Sequence, residues 1–119
     1  HLEDVVSTDQ HTVKPWFAGK IDFSPPVVDL ASSGFPLIGG RLEQLNGRTV
    51  AALVFHRRQH PINLFIWPAN GNGTPSRQIE RNGYHAFSWS ENGFNFVAVS
   101  EIPAAELTQF AGNFRKAQR

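Results

Sequence analysis

The sequence contains no cysteine. That excludes disulfides, thiolate metal ligands and thiol nucleophiles together. Methionine is absent too, even from the first position, which is His1. A chain that starts this way is expected to be a piece of a longer protein, with any leader, anchor or further domain lying elsewhere. Charged residues are scarce at 18%, against about 25% in average domains. They nearly cancel to a net +1, so no strong field steers the chain toward nucleic acid or an anionic membrane. The sequence has no apolar run of the roughly 18 residues that would suggest a membrane-spanning helix.

What is present is a heavy apolar load. Of 119 residues, 40% are hydrophobic, with ten Phe and three Trp. That length suits one domain, large enough to bury roughly two-thirds of its unfolded surface without metal or disulfide support.

The N-terminal stretch His1 to Gln10 reads as an arm or a short helical end, with Leu2, Val5 and Val6 as a narrow stripe. Ser7 to Gln10 fits a capping box in which Gln10 reaches back to the cap. A short helix through Val13, Trp16 and Phe17 would then end near Gly19. Pro15 permits this helix only if it is kinked or short, or if Pro15 is its first residue. Ser24-Pro25-Pro26 must be extended, and Val27 to Ala31 forms a helical turn stopped by Gly34.

A sheet follows. Phe35 to Leu45 is a strand bulged near Gly39-Gly40. Asn46-Gly47 is a two-residue hairpin turn, and Arg48 to Arg57 returns. The Val50–Phe55 run is apolar on both faces, which places it centrally. Arg58-Gln59 turns into Pro61 to Trp67, with Ile62, Leu64 and Ile66 on one face and Asn63, Phe65 and Trp67 on the other. Pro68 to Ser76 is the most loop-like segment. Arg77 to Arg81 is a short strand. Tyr84 to Ser90 and Phe94 to Ser100 form a hairpin across Glu91-Asn92-Gly93. Pro103 opens a helix to about Ala117, with Leu107, Phe110, Ala111 and Phe114 as its buried stripe. The predicted fold is α+β: an antiparallel meander of about five or six strands packed with a C-terminal helix and a short N-terminal helix. Residues 1–8 form the arm, and residues 9–119 a single domain.

Chemistry-bearing patterns are thin. His56, Arg57, Arg58 and His60 cluster at a hairpin tip, where an anion or a metal would be the functional reading. No third ligand lies nearby in the sequence, and no metal is expected. His11 with Asp9, and His85 with Glu80, would serve as acid–base pairs only beside a nucleophile. Ser88, Ser90 and Ser100 lack the glycine-flanked context of a nucleophile elbow. The stretch GFPLIGG matches no phosphate loop. No catalytic residue, cofactor or enzymatic activity is therefore expected. Trp16-Phe17, near a helix end, is an aromatic pair suited to docking against a partner or a membrane surface.

Three ordered blocks, HTVKPWFAGKIDFSPPVVDL, GFPLIGGRLEQLNGRTVAALVF and INLFIWP, carry a resemblance. They are similar to the C-terminal region of bacterial transmembrane anti-sigma factors, which regulate extracytoplasmic-function sigma factors. The resemblance covers nearly all of Asp9 to Phe110. Members have a cytoplasmic sigma-binding domain, often with a zinc motif, then one membrane helix and an extracytoplasmic part. This chain resembles that last part alone, and the sigma-binding and zinc residues have no counterpart in it. The resemblance implies a periplasmic regulatory module of an inner-membrane protein, with residues 1–8 close to the anchor. The sigma factor would be met only through the cytoplasmic domain. A periplasmic protein or a small molecule would be the signal, and the resemblance leaves the oligomeric state open.

Two readings follow. In the first, the domain regulates, with Lys14, Pro15, Trp16 and Phe17, together with Arg57 and Arg58, as candidate contacts and Asn70–Ser76 as a labile loop. In the second, it is a small-ligand carrier with a Phe- and Trp-lined pocket between sheet and helices, which needs at least about 300 Å³.

Overall fold

The computed structural model describes residues 3–118. Two helices, α1 (Gln10–Trp16) and α2 (Ala104–Gln118), accompany seven strands. These are β1 (Asp4–Val6), β2 (Leu37–Leu45), β3 (Arg48–Arg57), β4 (His60–Pro68), β5 (Arg77–Arg81), β6 (Tyr84–Glu91) and β7 (Phe94–Ser100). All pair antiparallel in one sheet of order β1-β2-β3-β4-β7-β6-β5. The α+β class is as expected, but the strands number seven rather than five or six.

The additional strand is β1, in the stretch expected to be an arm or helical end. Strand alternation puts Val5 against the core and leaves Val6 86% exposed, where a helix would have placed both on one stripe. Leu2, the third member of that stripe, lies outside the described residues. The capping box also differs. Asp9 caps α1, its Oδ1 accepting from the His11 amide at 2.9 Å. Ser7 is still extended after β1 and accepts instead from the Asp9 amide. Gln10 does not reach back; its Oε1 accepts from the Asp29 amide at 2.8 Å. Pro15 sits in the last turn of the seven-residue helix, not at its first position.

The plain meander breaks once. β4 pairs with β7, so the 69–76 connection carries the chain to the far edge, where β5 begins. Burial explains the order. β7 alternates buried and half-buried residues and belongs between neighbours, whereas every residue of β5 is exposed. Arg77, Glu80 and Arg81 on that edge discourage further strand pairing.

Three of the four hairpins turn on Asn-Gly: Asn46-Gly47, Asn82-Gly83 and Asn92-Gly93. In each, both residues have positive φ, 51° to 54° at Asn and 80° to 83° at Gly, the backbone a two-residue turn between twisted strands requires. The fourth, at Arg58-Gln59, holds Arg58 at φ 55° at a steric cost of roughly 1–2 kcal/mol. The expected bulge is present as a register shift between Leu37 and Gly39. A side chain at Gly39 would collide with the Val5 carbonyl, so glycine there lets β1 lie against β2.

Among the described residues, the elements that cover the sheet cover one face. On that inner face stand Leu53, Phe55, Ile62, Leu64, Ile66, Trp89, Phe96 and Ala98, all buried. Leu107, Phe110, Ala111 and Phe114 of α2 pack onto them, as the helix periodicity predicts. The aromatic rings interlock: Phe110 lies 5.0 Å from Phe55 and 5.5 Å from Phe35, and Trp89 stacks on Phe96 at 4.9 Å. The segment from α1 to Phe35 covers the rest of this face through Val13, Phe17, Val27, Leu30 and Phe35.

Candidate functional site

The sequence singles out two clusters, and in both the side chains are engaged within the fold. In the first, Lys14 donates from Nζ to Ser24 Oγ at 3.1 Å and to the Pro25 carbonyl at 2.9 Å. It ties α1 to the extended proline segment. Pro15 is exposed and Trp16 half-buried, with the Lys20 ammonium 5.0 Å from the Trp16 ring. Phe17 is fully buried, so its ring is core rather than a surface contact. The physical reason is its place one residue past α1, where the chain turns inward and the ring lies over Gly40.

The second cluster joins the β3–β4 turn to the first turn of α2. Glu106, near the helix start, accepts from Arg57 Nε at 3.0 Å and from Arg58 Nη2 at 3.0 and 3.3 Å. The Arg57 guanidinium also lies over the Phe35 ring at 4.8 Å and donates to the Gly34 carbonyl. A side chain at Gly34, whose φ is +89°, would collide with that guanidinium. Arg57 is therefore a structural clasp, and Arg58 is its more exposed companion.

The Arg57 hydrogen bond holds the Glu106 carboxyl below the ordinary Glu value of 4.5, helped by Arg58 against a smaller desolvation effect that raises it. A carboxylate depressed in the folded state stabilises the fold above its unfolded pKa, and that contribution is lost as pH falls through the folded pKa. Glu106→Gln is thus expected to lower the melting temperature at neutral pH. Its deficit against the parent should shrink as the pH drops below 4.5. Thermal melts across pH 3–7 check this, and a deficit constant with pH would refute it.

The imagined metal pair separates. Arg57 pairs with His60 and His56 with Pro61 across the hairpin, so the two imidazoles fall on opposite faces. His60 Nδ1 lies 3.0 Å from Glu101. Among the described residues no group of three or more metal-ligating side chains comes together. His85 and Glu80 approach to 4.0 Å in a cleft of about 210 Å³ between β5–β6 and the start of α2. The hydroxyl in that cleft, on Thr108, donates to the Ala104 carbonyl and accepts from Gln78. It has no base to activate it. The Asn70–Ser76 loop is exposed but tethered, through the Ala69 amide to the Gly93 carbonyl and the Thr74 amide to Ser90 Oγ.

The outer face of the sheet is the feature that stands apart. Among the described residues no helix packs on it. The register lines up rows of side chains across the strands: Val54, Asn63, Val99, Ala86 and Ile79 in one, and Ala52, Phe65, Val97 and Ser88 in the next. Val54, Phe65, Trp67, Val97 and Val99 are half-buried by mutual shading, and Ile79 and Tyr84 are 45% and 53% exposed. Contiguous apolar surface of this kind marks interaction sites. Arg41 is fixed at one side, bonded to Glu43 at 2.6 Å and Asn63 at 2.7 Å and set 6.0 Å from the Phe65 ring. The signal was visible in sequence as β3 apolar on both faces and as Phe65 and Trp67 opposite Ile62 and Leu64.

No family model, no curated protein and no solved structure matches the chain.

Proposed function

We propose that this chain is the periplasmic regulatory domain of a membrane-anchored anti-sigma factor controlling an extracytoplasmic-function sigma factor. The resemblance of the three sequence blocks over Asp9 to Phe110 supports it. One structural observation favours regulation over ligand carriage: the layer between sheet and helices is filled, while the opposite face of the sheet is bare. The cleft in that layer holds about 210 Å³, below the roughly 300 Å³ at which drug-sized ligands are typically enclosed. Of the larger hollows, one of about 390 Å³ opens beside β1 and β2, and one of about 480 Å³ opens at the margin of the layer, between Asp22–Phe23 and the strand ends at Arg48 and Pro68.

On this reading, which follows the resemblance, the anchor lies upstream; no helix among the described residues is long and apolar enough to cross a membrane. The signal, a periplasmic protein or small molecule, acts by binding one state of the domain better than another. Sigma binding belongs to the cytoplasmic domain, and nucleic acid plays no part.

The test is deletion of Asp9 to Arg119 from the full-length gene in its native host. A blot confirms that the anchored remainder persists, and sigma-dependent transcription is read with and without stress. A changed basal level or a lost stress response is the expected result. Unchanged values of both would overturn the proposal.

A further inference from the structure

Asn-Gly occurs five times in the chain: Asn46-Gly47, Asn70-Gly71, Asn72-Gly73, Asn82-Gly83 and Asn92-Gly93. Hairpin turns account for three of them. The other two stand side by side in the 69–76 connection, where no hairpin requires them. Asn is chemically labile, and a following Gly makes it reactive toward its own backbone. The Gly amide nitrogen, its proton taken by hydroxide, attacks the Asn Cγ, and no Cβ on Gly hinders the approach. The N–Cγ bond forms, the Cγ–Nδ2 bond breaks and ammonia leaves. Water then opens the succinimide ring at either carbonyl, which gives aspartate or isoaspartate. The reaction consumes only water.

All five asparagines are exposed, so access to water does not separate them. Backbone freedom does. Ring closure requires the peptide between Asn and Gly to rotate until the Gly nitrogen meets the Asn side chain. In the hairpins, Asn is held at φ 51° to 54° by the ladder that closes directly beside it, at Leu45 with Arg48, Arg81 with Tyr84 and Glu91 with Phe94. Rotation there has to open the end of the ladder first. Asn70 and Asn72 instead have negative φ, the region open to ordinary residues. Among the described residues, neither the Asn70 side chain nor the Gly71 amide has a hydrogen-bond partner. The tethers of this segment lie to either side, on the Ala69 and Thr74 amides.

We propose that Asn70 is a site of spontaneous deamidation, with Asn72 second and the three hairpin asparagines protected by the fold. The order within the loop follows from Ser90. Gly71 is exposed, with nothing within 4 Å of where a side chain would stand. Gly73 is half-buried, a side chain on it would collide with Ser90, and the next amide, of Thr74, donates to Ser90 Oγ. The peptide that Asn72 must rotate is therefore the more firmly held. Each conversion adds a carboxylate that is ionised at neutral pH. A chain of net +1 becomes neutral after one conversion and acidic after the second. Isoaspartate also inserts a carbon into the backbone. The connection tolerates this, because residues 70–76 supply nothing to the buried core. At a hairpin the same insertion would break the two-residue turn that fixes strand register. The inference is independent of the anti-sigma reading.

Prolonged incubation of the purified chain at mildly alkaline pH, followed by acid-protease digestion and mass spectrometry, tests it. The mass change locates each conversion, and the separate elution of aspartyl and isoaspartyl peptides identifies the products. Asn70 is expected to convert first, to both products, and at least about tenfold faster than Asn46, Asn82 or Asn92, whose turns must open before they react. The same chain unfolded in guanidinium should convert at all five positions at rates within a few-fold of one another. Asn70→Gln alters only an exposed side chain. It should remove most of the early acidic species on ion exchange while leaving circular dichroism and melting as in the parent. Hairpin asparagines that convert as fast as Asn70 in the folded chain would overturn the proposal. So would an Asn70 that does not lead Asn72. An unfolded chain with the same tenfold spread would overturn it too, because the selection would then not come from the fold.

Discussion

Phe110→Ala is expected to cost the domain about 3–5 kcal/mol, the range for truncating a buried aromatic ring where the surroundings cannot close the space. Three aromatic neighbours argue that they cannot. Phe110 is fully buried, with Phe55 at 5.0 Å, Phe35 at 5.5 Å and Phe114 at 6.3 Å. Each of these is held from a different direction: Phe55 by the interior strand β3, Phe35 by the segment leading into β2, Phe114 by the next turn of the same helix. None can swing into the gap without leaving its own contacts. Because domains of this kind are stable by only about 5–15 kcal/mol in total, the loss should lower the melting temperature by roughly 10–20 °C. Equilibrium denaturation in urea measures it directly, with the m-value showing whether the native state stays compact. A loss under about 1 kcal/mol would mean that α2 is not the main cover of the inner face, contrary to the packing described above.

The same helix shows what was legible in the sequence. Its stripe of Leu107, Phe110, Ala111 and Phe114 follows the helical period, and the same four residues are buried. The Asn-Gly turns were equally direct, because few residue pairs tolerate two successive positive φ angles. What escaped was long-range. β4 and β7 are far apart in sequence, and nothing local to either says that they pair. Each simply needs two neighbours. β1 escaped for a related reason. Three residues form a strand only because β2 offers an edge and Gly39 leaves room for the Val5 carbonyl, and neither condition is visible within the HLEDVVSTDQ stretch. The Arg57–Glu106 clasp spans 49 positions, so the arginines looked like free surface charge at a hairpin tip. For the candidate site, the alternation that exposes Phe65 and Trp67 was readable. Whether another element covered them was not, since that depends on where α2 and the proline segment come to rest.

Phe17→Ala is expected to destabilise the fold by about 3–5 kcal/mol, while Trp16→Ala costs about 1–2 kcal/mol, and the contrast decides what this aromatic pair does. The two rings meet edge to face at 5.0 Å, yet they stand in different environments. Phe17 is wholly buried and faces Gly40 across a gap so small that a methyl group added there would sit 3.0 Å from its ring. Trp16 is half-exposed beside the Lys20 ammonium. If the pair were a docking surface, removing either ring would leave stability nearly unchanged and weaken partner binding instead. If Phe17 is the peg that fastens α1 to β2, its loss should unfasten the N-terminal layer. Hydrogen exchange should then rise at the α1 amides and at the Leu42 amide that bonds Glu3, well before the β4–β7 ladder opens. Gly40→Ala offers the converse check, because it leaves Phe17 intact and presses on it, so it should reproduce part of the same local loosening. Equal and small losses for Trp16→Ala and Phe17→Ala would return the pair to the surface. Unequal losses with exchange localised to α1 and β1 would make Trp16 the member of the pair left available for a partner, with Phe17 as the support that holds it in place.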